Sequence, residues 1–423
     1  MSPHLKYWFN IGSFLETMQP NIRVLKLFGL FPFSISRAEP CSSSKTLKSE
    51  VKFMDVVIFT LWQIFFLQML YASWPKIFSE MPVSRIMALV TVILYFVGGV
   101  NCSISATLAL VLRKKFIRMI HLMDEVDHLF YRFCVEIQHS KIHLVSVALL
   151  GGSFFCHGAL FLNDVAINSY LLRNATRIPK TMPLQAAFTY YYIIRTVHVT
   201  CVIAFIGGLY GLRERFLALN KQFRLCLLGI PSADKLASFG ELLLQIQGFI
   251  VIYGNLCDAI RLFSTMFVWQ PVVFCASFIV AVVFATLSIG HVLTNSAPIV
   301  LAMAIIYGAV TALYTTVFLL LVKLGNDIKR EGKQTAILVH KAINQSSKTP
   351  ALVERLVLFS HHLQHQKPVV SCGLFCFDWT LALSIISAIA TYSVILIQFE
   401  LGIPRFFISG ILQHHTEIIT NDP

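Results

Sequence analysis

The sequence predicts an all-α membrane protein. Seven transmembrane helices cross the bilayer, with the N-terminus in the cytosol, the C-terminus outside and helices that extend into the cytosol. Three observations carry this. The first is composition: 56% of the 423 residues are hydrophobic and only 13% are charged, where an ordinary globular domain carries about 25% charged residues. With a mean hydropathy of +0.71, too few polar side chains remain to cover a water-soluble body. A soluble enzyme, a disordered regulator and a secreted disulfide scaffold are all disfavoured.

The second is the apolar runs themselves. They lie at 53–72, 86–112, 143–167, 186–212, 267–292, 299–322 and 374–399. Each can cross about 30 Å of hydrocarbon as a helix. They are continuously apolar, whereas a barrel strand alternates. The chain divides accordingly. Residues 1–52 form a cytoplasmic segment, and 53–322 hold the first six spans with their extensions and an external loop. A cytoplasmic helical connection follows at 323–373, then the seventh span at 374–399 and an external tail at 400–423. No secretory signal peptide is visible, so the first span acts as its own insertion signal.

The third is charge. The net charge of +13 could be read as an affinity for nucleic acid, but its distribution argues otherwise. Twenty-seven Lys and Arg precede the first span or lie between spans two and three, four and five, and six and seven; six lie on the other side. The cation-rich side is the cytosol. Asn174-Ala175-Thr176, a glycosylation sequon, lies between spans three and four on the side called external. All ten cysteines fall in spans or cytoplasmic segments, leaving none for an external disulfide. Seven spans bring G-protein-coupled receptors to mind. Those have an external N-terminus, usually an external disulfide, and a proline-containing turn in the last span, none of which is present here.

Between the spans, Lys114–Ile137, Leu236–Phe263 and Thr349–His365 carry apolar residues at helical spacing. We expect spanning helices to continue into these segments and pack together. The second span is the strongest case, because it enters its segment with no Pro or Gly. Pro368 and Gly373 weaken the case before the seventh.

Polar residues within the spans are the candidate functional groups. On the seventh span, Thr380, Ser384, Ser387, Thr391 and Gln398 form a narrow stripe at helical spacing. Small polar residues glue membrane helices together; a stripe repeated by symmetry can instead line a water path. Spans three to six carry His157, Asn163 and Asp164; Tyr191, Tyr192, Arg195 and His198; Trp269 and Gln270 before a helix-bending Pro271; and Tyr307, Thr311 and Tyr314. An arginine inside a span defaults to a paired or functional role. The group fits an apolar-walled ligand cavity with a few polar contacts, for which Arg195, Tyr191, His198, His157, Asn163, Trp269, Tyr307 and Thr311 are the candidates. His361, His362, His365, Cys372 and Cys376 match no zinc spacing. No metal site or cofactor is called for. No catalytic triad, phosphate loop or acidic dyad stands out, so nothing argues for an enzyme.

Thr391-Tyr392 and Gln398-Phe399, with five residues between the pairs, resemble the C-terminal signature of insect gustatory receptors. Cys372-Gly373-Leu374, Asp378, Thr380-Leu381, Ser384 and Ala388 are similar to that family too, as are Gly211-Leu212-Arg213-Glu214-Arg215-Phe216 and Leu219-Asn220. The motif region covers about 30 residues. The resemblance implies a tetrameric, ligand-gated, non-selective cation channel in the plasma membrane of chemosensory neurons, opened by a small-molecule tastant without a G protein. It implies a homotetramer or a heteromer with related subunits, passing monovalent and divalent cations. Four seventh spans would form the pore, with Gln398 and Phe399 near the gate and Ser384, Ser387, Thr391 and Ile395 along the path. Ser393 stands where the main sugar-receptor branch often has an acidic residue, so the resemblance leans to nonvolatile plant compounds of the bitter class. A fructose-type receptor, an odorant-type subunit and a transporter are the alternatives.

Overall fold

The structure, a computed structural model, describes residues 11–37, 47–80, 85–174, 182–228, 239–294, 298–346 and 349–398. Eleven α-helices occur among them. Helix α1 (Phe14–Leu27) and a two-stranded hairpin, β1 (Ser34–Arg37) and β2 (Leu47–Glu50), precede α2 (Phe53–Glu80) and α3 (Arg85–Val111). Then follow α4 (Arg113–Arg132), α5 (His139–Asn174), α6 (Met182–Phe223), α7 (Phe239–Met266), α8 (Trp269–Thr294), α9 (Pro298–Gln345) and α10 (Pro350–His365). The last is α11 (Trp379–Gln398). The seven expected spans correspond to α2, α3, α5, α6, α8, α9 and α11. Six helices pass length and hydropathy limits for crossing a membrane, and a seventh does so when α3 and α4 count as one bent span. Helix α7 is one of those six although it packs against α4 and α10, the helices of the basic end, while the apolar stretch described in α2, Phe53–Gln68, falls short of those limits.

Helix α6 is the axis of the fold, with 89% of its apolar window buried, against 17% for α11 at the periphery. Helix α9 is 48 residues long, about 70 Å at 1.5 Å per residue, more than twice a bilayer core. Helices α6 and α9 therefore run on past the membrane. Their far halves, with α4, α7 and α10, make a bundle at the basic end.

That bundle corrects one expectation. The second span does not run straight on: α3 and α4 meet at a 66° bend, where Leu112 leaves helical geometry with φ −89° and ψ 9°. The bend lets Phe116, Ile120, Met123, Val126 and Phe130 of α4 bury fully in the core, and burying each side chain contributes roughly 1.5–3 kcal/mol. Leu112 itself stays hydrogen-bonded through the bend, its N–H to the Leu108 carbonyl at 2.8 Å and its carbonyl to Phe116 N at 3.1 Å, so docking that stripe meets little opposition there. Pro271 is a second correction. It sits in the first turn of α8, where its missing N–H costs nothing, so it starts the helix rather than bending it.

Within residues 1–52, for which the sequence predicts no element, the described residues are structured. Ser13 caps α1, its Oγ accepting from Glu16 N at 3.3 Å, while Glu16 Oε2 accepts from Gly12 N at 2.8 Å, a reciprocal cap. Phe14, Met18 and Leu25 bury between α5 and α6. Lys26 pairs with Asp55 at 2.7 Å, fastening α1 to the start of α2.

Polar ties hold the basic end together. The Arg215 guanidinium is fully buried. It donates from Nε and Nη2 to both carboxylate oxygens of Asp127 on α4 (2.8 and 2.6 Å) and from Nη1 to the Gly211 carbonyl (2.9 Å). It also lies 5.0 Å from the Phe14 ring centroid. Asn220 donates to the backbone carbonyl and carboxylate of Glu331 and accepts from Thr335. Arg213 donates to Asp327 at 3.1 Å. The Gly211–Asn220 stretch is thus a bolt between α6, α4 and α9.

Candidate functional site

Two constellations emerge. The first is α11. At 3.6 residues per turn, Thr380, Ser384, Ser387, Thr391 and Gln398 share one side of the helix, and all five are exposed, as is Ile395. Ala382, Ile385 and Ser393 are buried, and by the same geometry they lie on the opposite side. The stripe therefore faces away from its own subunit. Packing glue against neighbouring helices of the same subunit cannot account for it. Ser384 and Thr391 donate to the carbonyls one turn earlier, at 3.0 Å each, which satisfies their hydroxyls within the helix. Gln398 is the last described residue of α11. Phe399 lies outside the described residues. Tyr392, the second motif residue, is also exposed.

Helix α11 is attached to α9 at its start and to α8 and α9 at its far end. At its start, Asp378 caps the helix by accepting from Thr380 N (3.1 Å) and Leu381 N (3.4 Å). Lys329 on α9 donates to the same carboxylate at 2.7 Å. Here α9 passes so close that a Cβ on Gly325 would collide with the Phe377 carbonyl. At the far end Leu396 and Ile397 rest on a small apolar cluster of Val283, Phe284 and Leu287, with Tyr307.

The second constellation lies among α5, α6, α8 and α9. Buried Arg195 has its guanidinium 5.4 Å from the Tyr192 ring and 5.7 Å from the Tyr314 ring. It interacts electrostatically with buried Asp164 and His157 across on α5. An aromatic chain continues on both sides: Phe161 edge-on to Tyr192 at 5.5 Å, Tyr314 stacked on Phe274 at 5.1 Å, and Phe274 edge-on to His198 at 6.2 Å. His198 Nε2 lies 3.2 Å from the Gln270 carbonyl, and His157 Nδ1 2.8 Å from the Ser153 carbonyl. Since only N–H can serve a carbonyl, the protonated nitrogens are Nε2 and Nδ1 respectively. His157 Nε2 is then an acceptor, buried and without a protein partner among the described residues. The cluster offers a cation, a carboxylate and an imidazole acceptor between aromatic walls. Such a set suits a small aromatic or hydroxylated ligand and holds no nucleophile–base arrangement.

The sequence candidates are only partly brought together. Arg195, His198 and His157 join. Thr311 donates to the Ala281 carbonyl at 3.0 Å and ties α9 to α8. Tyr307, a turn further, packs edge-on to Phe284 at 6.1 Å beside α11. Asn163 and Trp269 are exposed on the outside of the subunit. The side chains of Tyr191 and Asn174 lie outside the described residues, as do Ala175 and Thr176 of the sequon. Phe161 and Phe274 were missed, since nothing distinguishes two phenylalanines among 35.

With this geometry in hand, comparison with known proteins is decisive. The family profile "7tm Chemosensory receptor" matches residues 18–403. The chain belongs to the 7tm chemosensory receptor family. This receptor is 22% identical over 412 residues to the protein described as "Putative gustatory receptor 28b" of Drosophila melanogaster, covering 92% of this chain and 87% of that one. It is also similar to solved structures of the insect olfactory receptor OR5 from Machilis hrabei. With the eugenol complex the TM-score is 0.58 at 13% identity, covering 90% of this chain and 97% of that one. With OR5 alone it is 0.59 at 12% identity, covering 94% and 99%. The receptor shares their fold. The resemblance carried by Thr391-Tyr392 and Gln398-Phe399 is borne out at the level of the family.

Proposed function

We propose that this receptor is a gustatory receptor acting as a ligand-gated, non-selective cation channel in the plasma membrane of chemosensory neurons. It is opened by nonvolatile tastants of the bitter, plant-metabolite class. The observation that carries the channel reading is the polar stripe of α11 turned away from its own subunit. Four copies around an axis give that face a wet surface to line, while a monomer in lipid would leave a glutamine amide in hydrocarbon. The Arg195 cluster is the ligand site, and α9 links it, through Tyr314, Thr311 and Tyr307, to the end of α11. The N-terminus is cytosolic and the C-terminus external, as the 27-to-6 cation split argues.

Cells expressing this chain alone should give ligand-evoked calcium signals and currents within a panel of plant compounds, without added G protein. Uptake of radiolabelled ligand with no current would replace the channel with a transporter, and a response confined to fructose would move the ligand class. A C-terminal tag should stain intact cells and an N-terminal tag only permeabilised ones, while Asn174→Gln should remove a glycan that Asn344→Gln leaves in place. Reversed staining would defeat the orientation.

Arg195→Met should raise the half-maximal ligand concentration at least about tenfold at normal surface expression, since hydrogen bonds to charged groups contribute roughly 1.5–3 kcal/mol. Arg195→Lys should rescue little, because an ammonium cannot lie flat between two rings. An unchanged concentration–response curve in Arg195→Met would place the ligand elsewhere.

A further inference from the structure

A cavity of about 500 Å³ opens beside the connector between α10 and α11. Arg261, Ser264 and Thr265 line it from the end of α7, His365 from the end of α10, and Lys367 and Ser371 from the connector. No carboxylate is among its lining residues. Asp258 pairs with Arg261 at 2.7 Å, one turn back on α7. Ser264 is 7% exposed, and its hydroxyl has no partner among the described residues; the Gln366 side-chain oxygen is likewise buried without one. The site thus has cations and an unused hydroxyl donor, with apolar Val268 and Val369 behind them.

Two tryptophans fix its depth. Trp269 opens α8 next to the cavity wall at Val268, and Trp379 opens α11 six residues after Gly373 of the wall; both side chains are about half exposed. Tryptophans at the ends of membrane helices sit at headgroup level. The cavity therefore lies where lipid headgroups are, on the basic side.

We propose that this cavity binds the phosphorylated headgroup of an anionic inner-leaflet lipid, of the phosphoinositide class. Arg261 and Lys367 meet the phosphates, and Ser264 donates a hydrogen bond. Occupation braces the connector, whose Ser371–Cys376 bridge and Gly373 turn (φ +84°) lead directly into the Asp378 cap of α11. The inference uses the orientation proposed above but not the channel activity. Tag staining tests the first, and lipid retention reads the cavity alone.

The test is lipid retention by the full-length receptor. Purified protein goes into nanodiscs of phosphatidylcholine containing a small fraction of either phosphatidylinositol bisphosphate or phosphatidylserine, and bound lipid is counted by native mass spectrometry. Wild type should retain the bisphosphate lipid over phosphatidylserine. Arg261→Gln combined with Lys367→Gln should lower that retention about thirtyfold, from the attraction each basic side chain supplies near a membrane surface. Arg261→Lys with Lys367→Arg should keep it. Lys333→Gln with Lys341→Gln, which removes two exposed cations of α9, should change it less than about twofold. Four results would overturn the proposal: undiminished retention in the double Gln variant, equal loss in the α9 control, equal retention of phosphatidylserine, or displacement of the lipid by equimolar soluble inositol trisphosphate. The last would make a free phosphate compound the occupant. If the double Gln variant fails to elute as wild type does, loss of retention in the folded charge-keeping variant would equally sink it.

Discussion

Arg215→Met should remove the receptor from the cell surface. The substitution leaves the Asp127 carboxylate, only 14% exposed, facing a methionine where two hydrogen bonds of 2.8 and 2.6 Å had satisfied it. Breaking a buried pair by removing one partner costs about 3–5 kcal/mol, a large part of the roughly 5–15 kcal/mol that keeps a protein folded. The Gly211 carbonyl loses its donor and the Phe14 ring its cation at the same time. Surface biotinylation should fall to a small fraction of wild type, with the protein retained inside the cell. Arg215→Lys should recover little, since an ammonium cannot make the bidentate contact. Arg215→Met with Asp127→Leu should recover more than either single change, because neither partner is then left charged and alone. If the double variant is no better than Arg215→Met, the ion pair is not what matters, and the packing of the Arg215 stem against Phe14 would be the alternative cause.

The second large effect concerns α11. Cysteines replacing Ser387, Thr391 and Gln398 should react with charged thiol reagents at least about tenfold faster in the presence of ligand than cysteines at Ile385 or Ser393, if the stripe lines a wet path. Ile385 and Ser393 are the right controls because the subunit itself covers them. Ile386 is exposed and would be a poor one. Under the fourfold assembly proposed above, Gln398→Glu should alter permeability ratios or divalent block by replacing amide dipoles with carboxylates, with ligand sensitivity nearly unchanged. Equal reactivity on both sides of α11, with Gln398→Glu currents identical to wild type, would mean the stripe seals subunits together and the ions pass elsewhere.

The spans were legible because hydropathy over about 20 residues is a strong signal that needs no partner. The stripe on α11 was legible for the same reason, being local and periodic. Helix α1 and its hairpin were not. Their stability comes from Phe14, Met18 and Leu25 fitting between α5 and α6, a tertiary fact that a short local pattern does not announce. The bend at Leu112 has no Pro or Gly to mark it, since the cause is the docking of α4 some distance on. In the Arg195 cluster only the charge stands out in the sequence, because which of the other residues face inward depends on how each helix is rotated about its axis. A helix turns 100° per residue, so Asp164 is buried while its neighbour Asn163 is exposed. His198 and Trp269 both sit among apolar residues, yet only His198 faces inward.

The way α11 is mounted makes it a lever. Its root is clamped to α9 by Lys329–Asp378 and by the close pass of Gly325, while its tip rests on a few apolar side chains from α8 and α9. Between them lie 20 residues of helix, an arm of about 30 Å. A tilt of only about 5° at the clamp would swing the tip by roughly 2.6 Å over that arm, comparable to the width of a water molecule. The hinge is stiff and the free end lightly sprung, so a displacement of α9 too small to disturb the core would be multiplied where Gln398 sits.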